Sequence, residues 1–219
     1  MTIHKAGYSV ILFLIFIITL IMVPLILFKV PNIVLYIASS ALFILFLFVV
    51  RFFRSPNRKI EFTENMVIAP ADGKIVAIEE ITENEFIKGN CIQVSIFMSV
   101  WNIHINWYPV LGKIVRSLHF SGKYMAAWLP KSSSENERAI TIIENPKAGK
   151  IVVKQIAGAV ARRIITYANE NAPITAGEQL GFIRFGSRVD VLIPVNSKIK
   201  VSLNDKAVGG ITLLAELPD

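Results

Sequence analysis

The sequence predicts a mainly β domain, closed as a small barrel or sandwich and preceded by two membrane-spanning helices joined as a hairpin. Three observations carry this. The apolar surplus is concentrated at the start, because from Tyr8 to Val50 the only formal charge is Lys29. From Ile60 onward the composition is that of a soluble chain, with short alternating runs punctuated by Gly, Pro, Asn and Asp. Two stretches, Val67-Ile-Ala-Pro-Ala-Asp-Gly-Lys-Ile-Val-Ala-Ile and Val191-Leu-Ile-Pro-Val-Asn-Ser-Lys-Ile-Lys-Val-Ser, also share Val, Pro, Lys and Ile at equal offsets. Each reads as strand, Pro-led turn, strand. With 53% apolar and 18% charged residues and a mean hydropathy of +0.55, the chain is neither disordered nor collagen-like.

A helix rises ~1.5 Å per residue, so a hydrocarbon core of about 30 Å needs roughly 20 apolar residues. Tyr8 to Phe28 supplies 21 and Asn32 to Val50 another 19. The few turn-forming residues between them, Lys29-Val30-Pro31-Asn32, predict an antiparallel hairpin with both ends on one side. Residues 1–59 hold Lys5, Lys29, Arg51, Arg54, Arg58 and Lys59 and no acid, which leaves 17 bases against 16 acids for residues 60–219. The net charge of +7 and the pI near 9.6 therefore report a basic collar beside a membrane, and a nucleic-acid role loses its main support. Positive-inside counting puts both ends, and with them the domain from residue 60 onward, in the cytoplasm. A cleaved signal peptide competes with this reading, but the first span is long, its basic flank is weak and a second span follows. The lone Cys91 allows no internal disulfide and suits a reducing compartment.

Strands are expected at Met66–Ala69, Lys74–Ile81, Cys91–Met98, Lys113–Phe120, Ala139–Glu144, Ile151–Ile156, Gly181–Phe185, Arg188–Ile193, Lys198–Leu203 and Gly210–Ala215. Helical pattern is confined to Lys123–Leu129 and Val160–Ala168. Paired hairpins like the internal echo occur in biotinyl and lipoyl carrier domains, and Asn204-Asp205-Lys206-Ala207 imitates a lipoylation site. Only 13 residues follow Lys206, too few for a matching second half, so Lys206 reads as a solvated turn lysine.

Metal chemistry has little to work with, since His4, His104, His119 and Cys91 show no ligand spacing. Phosphate-cradling glycine loops are missing too. Four stretches remain: Ala69-Pro70-Ala71-Asp72-Gly73, a carboxylate in a rigid turn; Ser99-Val-Trp-Asn102-Ile-His104-Ile-Asn106-Trp-Tyr-Pro109, a histidine in polar and aromatic company; Ser134-Glu135-Asn136-Glu137-Arg138, a charged turn; and Phe185-Gly186-Ser187-Arg188 between two apolar strands. Taken singly, each is explained by turn or bulge chemistry.

Their combination in order resembles the short branch of the phosphatidylserine decarboxylases, over essentially the whole soluble domain. Pro-Ala-Asp-Gly, a Phe-Met-Ser segment leading to His, Asn-Glu-Arg, and a Gly-Ser pair near the end carry the likeness. The resemblance implies a pyruvoyl enzyme made by self-cleavage between Gly186 and Ser187, giving noncovalently associated fragments 1–186 and 187–219. It implies that Ser187 becomes the covalent pyruvoyl group, which takes the amine of phosphatidylserine as a Schiff base and releases carbon dioxide to leave phosphatidylethanolamine. Ester-linked and archaeal ether-linked lipids share that head group, so either suits the chemistry. Many relatives carry a second histidine three residues after the first, and this chain has Trp107 there.

The residues make chemical sense of the implication. Gly186 leaves its carbonyl unshielded and tolerates strained backbone, so the Ser187 hydroxyl can attack it. Serine needs a base at neutral pH, and His104 oriented by Asp72 supplies the arrangement of acid, imidazole and hydroxyl. His104 is also the candidate proton donor to the substrate carbon. Arg138, Arg162, Arg163 and Arg188 are candidates for the lipid phosphate by charge, Arg188 foremost. Two other classes compete: a membrane-tethered serine hydrolase using the same Asp72, His104 and Ser187 on an external substrate, and a non-catalytic carrier or binding module on a membrane anchor, for which Lys206 is the candidate modification site. Both would remain a single chain.

Overall fold

The computed structural model describes residues 1–58, 61–123, 135–158, 163–184 and 186–218. Lys59 of the collar, Ser134, Arg162, Phe185 and all of the expected helix Lys123–Leu129 beyond its first residue lie outside the described residues. The chain forms two compact units, Met1–Asn57 and Arg58–Asp219.

The first unit is the helical hairpin. Helix α1 spans Lys5–Leu27 and α2 spans Asn32–Phe52, each long and apolar enough to cross a membrane. His4 caps α1, its Nδ1 accepting the Ala6 N–H at 3.2 Å. Strand β1 (Thr2–Ile3) pairs antiparallel with β2 (Arg54–Ser55), and the His4 N–H donates to the Phe53 carbonyl at 2.8 Å, so the start of α1 and the end of α2 lie side by side. Their closeness depends on Gly7, where a Cβ would come within 2.5 Å of the Phe53 side chain. Leu12, Phe13, Phe16, Ile37, Phe43 and Ile44 are exposed on the helices' outer faces, a surface that suits lipid rather than water.

The second unit is mainly β. Strands β3 (Met66–Ile68), β4 (Gly73–Glu83) and β5 (Gly89–Met98) come first, followed by β6 (Ile105–Trp107), β7 (Gly112–Phe120), β8 (Arg138–Asn145) and β9 (Gly149–Ala157). After them come β10 (Ile164–Thr166), β11 (Pro173–Ile174), β12 (Gln179–Ile183), β13 (Ser187–Pro194), β14 (Lys198–Ile199), β15 (Lys206–Ala207) and β16 (Leu213–Glu216). An eight-stranded antiparallel sheet runs β11-β7-β8-β9-β13-β5-β4-β15, beside two three-stranded sheets, β10-β12-β6 and β14-β16-β3. The pattern expected over Val160–Ala168 is not helical where it is described: Ile164-Ile165-Thr166 is a β-branched run, stiff at χ1, and it pairs with β12.

The internal echo has a structural counterpart. Each Pro-led turn carries the chain from one sheet to another instead of closing a hairpin within one sheet. The two copies consequently flank β5 in the large sheet, as β4 and β13, and flank β16 in the small one, as β3 and β14. The core lies on one face of the large sheet, where Ile75, Ile96, Met98, Ile143, Val153, Val189 and Val191 meet Val67, Leu180 and Leu214 from the smaller sheets. A second cluster, Phe86, Cys91, Ile140, Ile142, Val152 and Leu192, covers the other face. Burial, and after it the Glu83 carboxylate, push the Cys91 thiol above its ordinary pKa, which suits an inert packing residue.

The β8–β9 turn is held by one side chain. Asn145 Oδ1 accepts the Lys147 and Ala148 N–H groups at 3.0 and 2.9 Å, and its Nδ2 donates to the Leu111 carbonyl at 3.0 Å. Asn145→Ala should destabilise the domain by about 2 kcal/mol, since three hydrogen bonds of one buried side chain are lost together. The check is a lower urea midpoint of the full chain in detergent with an unchanged slope.

Candidate active site

Strand β13 holds the centre of the large sheet, paired with β5 from Ser187↔Met98 to Pro194↔Cys91 and with β9 from Ser187↔Ala157 to Leu192↔Val152. Its first residue, Ser187, is fully buried. The residue before it, Gly186, has φ +70° with no atom within 4 Å of where a Cβ would sit. Glycine is required there by backbone conformation and not by crowding.

His104 reaches this dipeptide from the segment that leaves β5. Asn102 folds that segment, its Oδ1 accepting the Ser99 N–H and hydroxyl at 2.9 and 2.7 Å. The Asn102 carbonyl, 3.0 Å from His104 Nδ1, can only accept, so Nδ1 carries the proton and Nε2 presents its lone pair. The Gly186 N–H points to that Nε2 at 3.2 Å. The imidazole is buried and packs against Phe182, with ring centroids 6.5 Å apart.

The Ser187 hydroxyl points elsewhere, donating to Met98 Sδ at 3.1 Å. The same sulfur is 3.6 Å from Asn106 Nδ2, and Asn106 Oδ1 accepts Gln155 Nε2 at 2.7 Å. Gln155 Oε1 is buried with no hydrogen-bond partner among the described residues. Sequence reasoning missed this cluster of buried amides. The only signal was an amide at an inward-facing position of each of two strand stretches, Ile105-Asn106-Trp107 and Val153-Lys154-Gln155-Ile156.

The expected contact between Asp72 and His104 is not made. Asp72 takes both terminal nitrogens of Arg58, at 2.5 and 3.0 Å, and its Oδ1 also accepts the Gly209 N–H at 2.8 Å. Arg58 in turn donates to the Gly209 carbonyl at 2.6 Å and lies 4.8 Å over the Trp107 ring. A bidentate guanidinium takes up the carboxylate in its place. The imidazole meets the Asn102 carbonyl at Nδ1 instead.

Asn136-Glu137-Arg138 is not a solvated turn. Asn136 is fully buried and donates to the Ala157 carbonyl at 2.7 Å, directly across from Ser187, while Glu137 Oε1 accepts the Ile164 N–H at 3.2 Å and lies 3.3 Å from His119 Nε2. Arg138 stacks 4.5 Å over Phe120, and Arg163 is exposed. Arg188, expected foremost at the lipid phosphate, is buried; its Nε and Nη2 bond Asp190 at 2.6 and 3.1 Å, and Nη2 also donates to Ser95 at 3.1 Å. The alternation of β13 decides this, because Arg188 and Asp190 share the face that carries Leu192.

The imidazole thus faces the chain's own backbone, and the serine beyond it is closed off from solvent. Residues 45–215 match the family model described as phosphatidylserine decarboxylase, and the chain belongs to that family. A protein of Porphyromonas gingivalis named phosphatidylserine decarboxylase proenzyme is 44% identical over the whole of both chains. One of the same name from Cytophaga hutchinsonii is 45% identical over 99% of each, and one from Bacteroides fragilis is 48% identical over 83% of this chain and 80% of its own.

The Arg188–Asp190 pair yields a test of the site's frame. Asp190→Ala strands a buried guanidinium and should cost about 3–5 kcal/mol. The double change Arg188→Met/Asp190→Leu should recover most of that loss, read as urea midpoints of the full chain.

Proposed function

We propose that the chain cuts itself between Gly186 and Ser187 and, through the pyruvoyl group formed at residue 187, decarboxylates phosphatidylserine to phosphatidylethanolamine and carbon dioxide. The observation that carries this is the imidazole lone pair of His104 held 3.2 Å from the Gly186 nitrogen, beside a left-handed glycine and a buried serine. A hydrolase acting on an external substrate gains no support from a serine enclosed between β5 and β9.

Rotation of Ser187 about Cα–Cβ moves its hydroxyl from Met98 to the Gly186 carbonyl. His104 Nε2 accepts the hydroxyl proton as Oγ adds to that carbon, and returns it to the departing Ser187 nitrogen. The amide becomes an ester. Loss of the Ser187 α-proton then expels the Gly186 carboxylate, and water hydrolyses the resulting dehydroalanine, releasing ammonia and leaving the ketone. That ketone supplies an electron sink for carbon dioxide loss from the serine head group. The surroundings fit a buried carbonyl: Asn106 Nδ2, held by Gln155, is an N–H donor whose described acceptor is only a thioether. His104 is the acid placed to protonate the substrate carbon, and Asp72 serves as a positioning residue through Arg58 and Trp107. The charges of Lys5, Arg51 and Arg54 against the lone Lys29 support a cytoplasmic catalytic domain.

Ser187→Ala should stay one full-length chain with no decarboxylase activity; two fragments in this variant, by intact mass, would refute the reading. His104→Ala should likewise remain uncut. Gly186→Ala must adopt a left-handed conformation that costs ~1–2 kcal/mol and should mature more slowly, or not at all. In the parent, fragments 1–186 and 187–219 should copurify and separate only in denaturant, because β13 is paired on both edges.

A further inference from the structure

Two lysines stand opposite one another at the end of the large sheet where Ser187 enters it. Lys206 of β15 is the direct cross-strand partner of Lys74 of β4, and both are exposed. Like charges in such a pair destabilise a sheet. Neither takes part in an ion pair among the described residues, and the nearby Asp72 is neutralised by Arg58. Both line an open cavity of about 550 Å³ whose wall also carries Ser99, Asn102, Asn204 and Asp72. With the Asp72 carboxylate engaged by Arg58, the two lysines leave the cavity with an excess of positive charge beside neutral hydrogen-bonding groups, a combination that favours an anion.

The register sets the distance to the chemistry. Lys74 pairs with Phe97, and Phe97 with Arg188, so Lys74 lies two strand spacings, about 10 Å, from the backbone beside residue 187. The neighbours of Phe97 and Ser99 in the cavity wall enclose Met98, whose sulfur touches Ser187, and Asn102 is the residue whose carbonyl orients His104. Cross-strand partners share a face, so both lysines stand on the face of Arg188, opposite to the Ser187 side chain, and the cavity turns round the sheet end by Gly73, Ser99 and Asn102; a head group held at the lysines would bring its amine to residue 187 round that end.

We propose that Lys74 and Lys206 form the subsite for the phosphodiester anion of the phospholipid head group. The inference rests on the decarboxylase reading. Its test compares the parent with Lys74→Gln/Lys206→Gln and with Lys74→Arg/Lys206→Arg on a soluble short-chain phosphatidylserine, with fragments 1–186 and 187–219 scored in each protein. The glutamine pair should mature and show KM raised about tenfold with kcat within about twofold, while the arginine pair stays near the parent, as expected for losing charge-assisted contacts. Glycerophosphoserine should compete with substrate in the parent and lose affinity by a similar factor in the glutamine pair. An unchanged KM in the mature glutamine pair, or an arginine pair equally impaired, would overturn the subsite. Equal competition by inorganic phosphate would assign the lysines to free phosphate and overturn the head-group assignment. A parent that never yields two fragments would overturn the decarboxylase reading instead.

Discussion

Hydrogen bonding of β13 to a neighbour on each edge governs the site. A strand paired on one side can slip by a residue or fray, and a one-residue slip turns every side chain to the opposite face. Pairing with β5 and β9 together fixes which residue comes first, and hence that Ser187 faces the core while Arg188 faces away from it. The irregular backbone is left just outside the ladder, at Gly186. Sheet order ends and left-handed conformation begins between Ser187 and Gly186, and His104 meets the N–H of that glycine.

Buried polarity around this point is arranged for geometry more than for stability. Arg188 and Asp190 are enclosed on one face, and Asn106 and Gln155 on the other, where apolar residues of similar size would pack at lower desolvation cost. Gln155 Oε1 is the clearest sign, since a buried acceptor with no partner among the described residues marks surroundings fixed for another reason. Such groups surround Ser187 and the His104 imidazole, both of which are fully buried.

Much of this was legible in the sequence. Charge segregation located the two apolar helices, and period-two alternation located most long strands, with ends off by a residue or two. The Gly-Ser pair, His104 and the Asn-Glu-Arg stretch are drawn together in space as their order suggested. What was not legible depends on pairings across long separations. Arg58 reads as one more collar cation until Gly209, 151 residues on, comes to lie beside it. Asn106 and Gln155 look like ordinary strand polars until the sheets stack, and Ile164-Ile165-Thr166 sits in a stretch whose flanks mimic a helix.

The residues after the proposed cut include β13 through β16, which enter both the large sheet and the β14-β16-β3 sheet. Before the cut, their assembly with the rest is a unimolecular search. Afterwards it is bimolecular, and a mature molecule that once unfolds must find a separate partner carrying no Gly-Ser bond to remake. On the proposed reading, the cut would turn a fold that one chain can regain into a two-chain assembly whose working lifetime is set by its unfolding rate and not by its equilibrium stability.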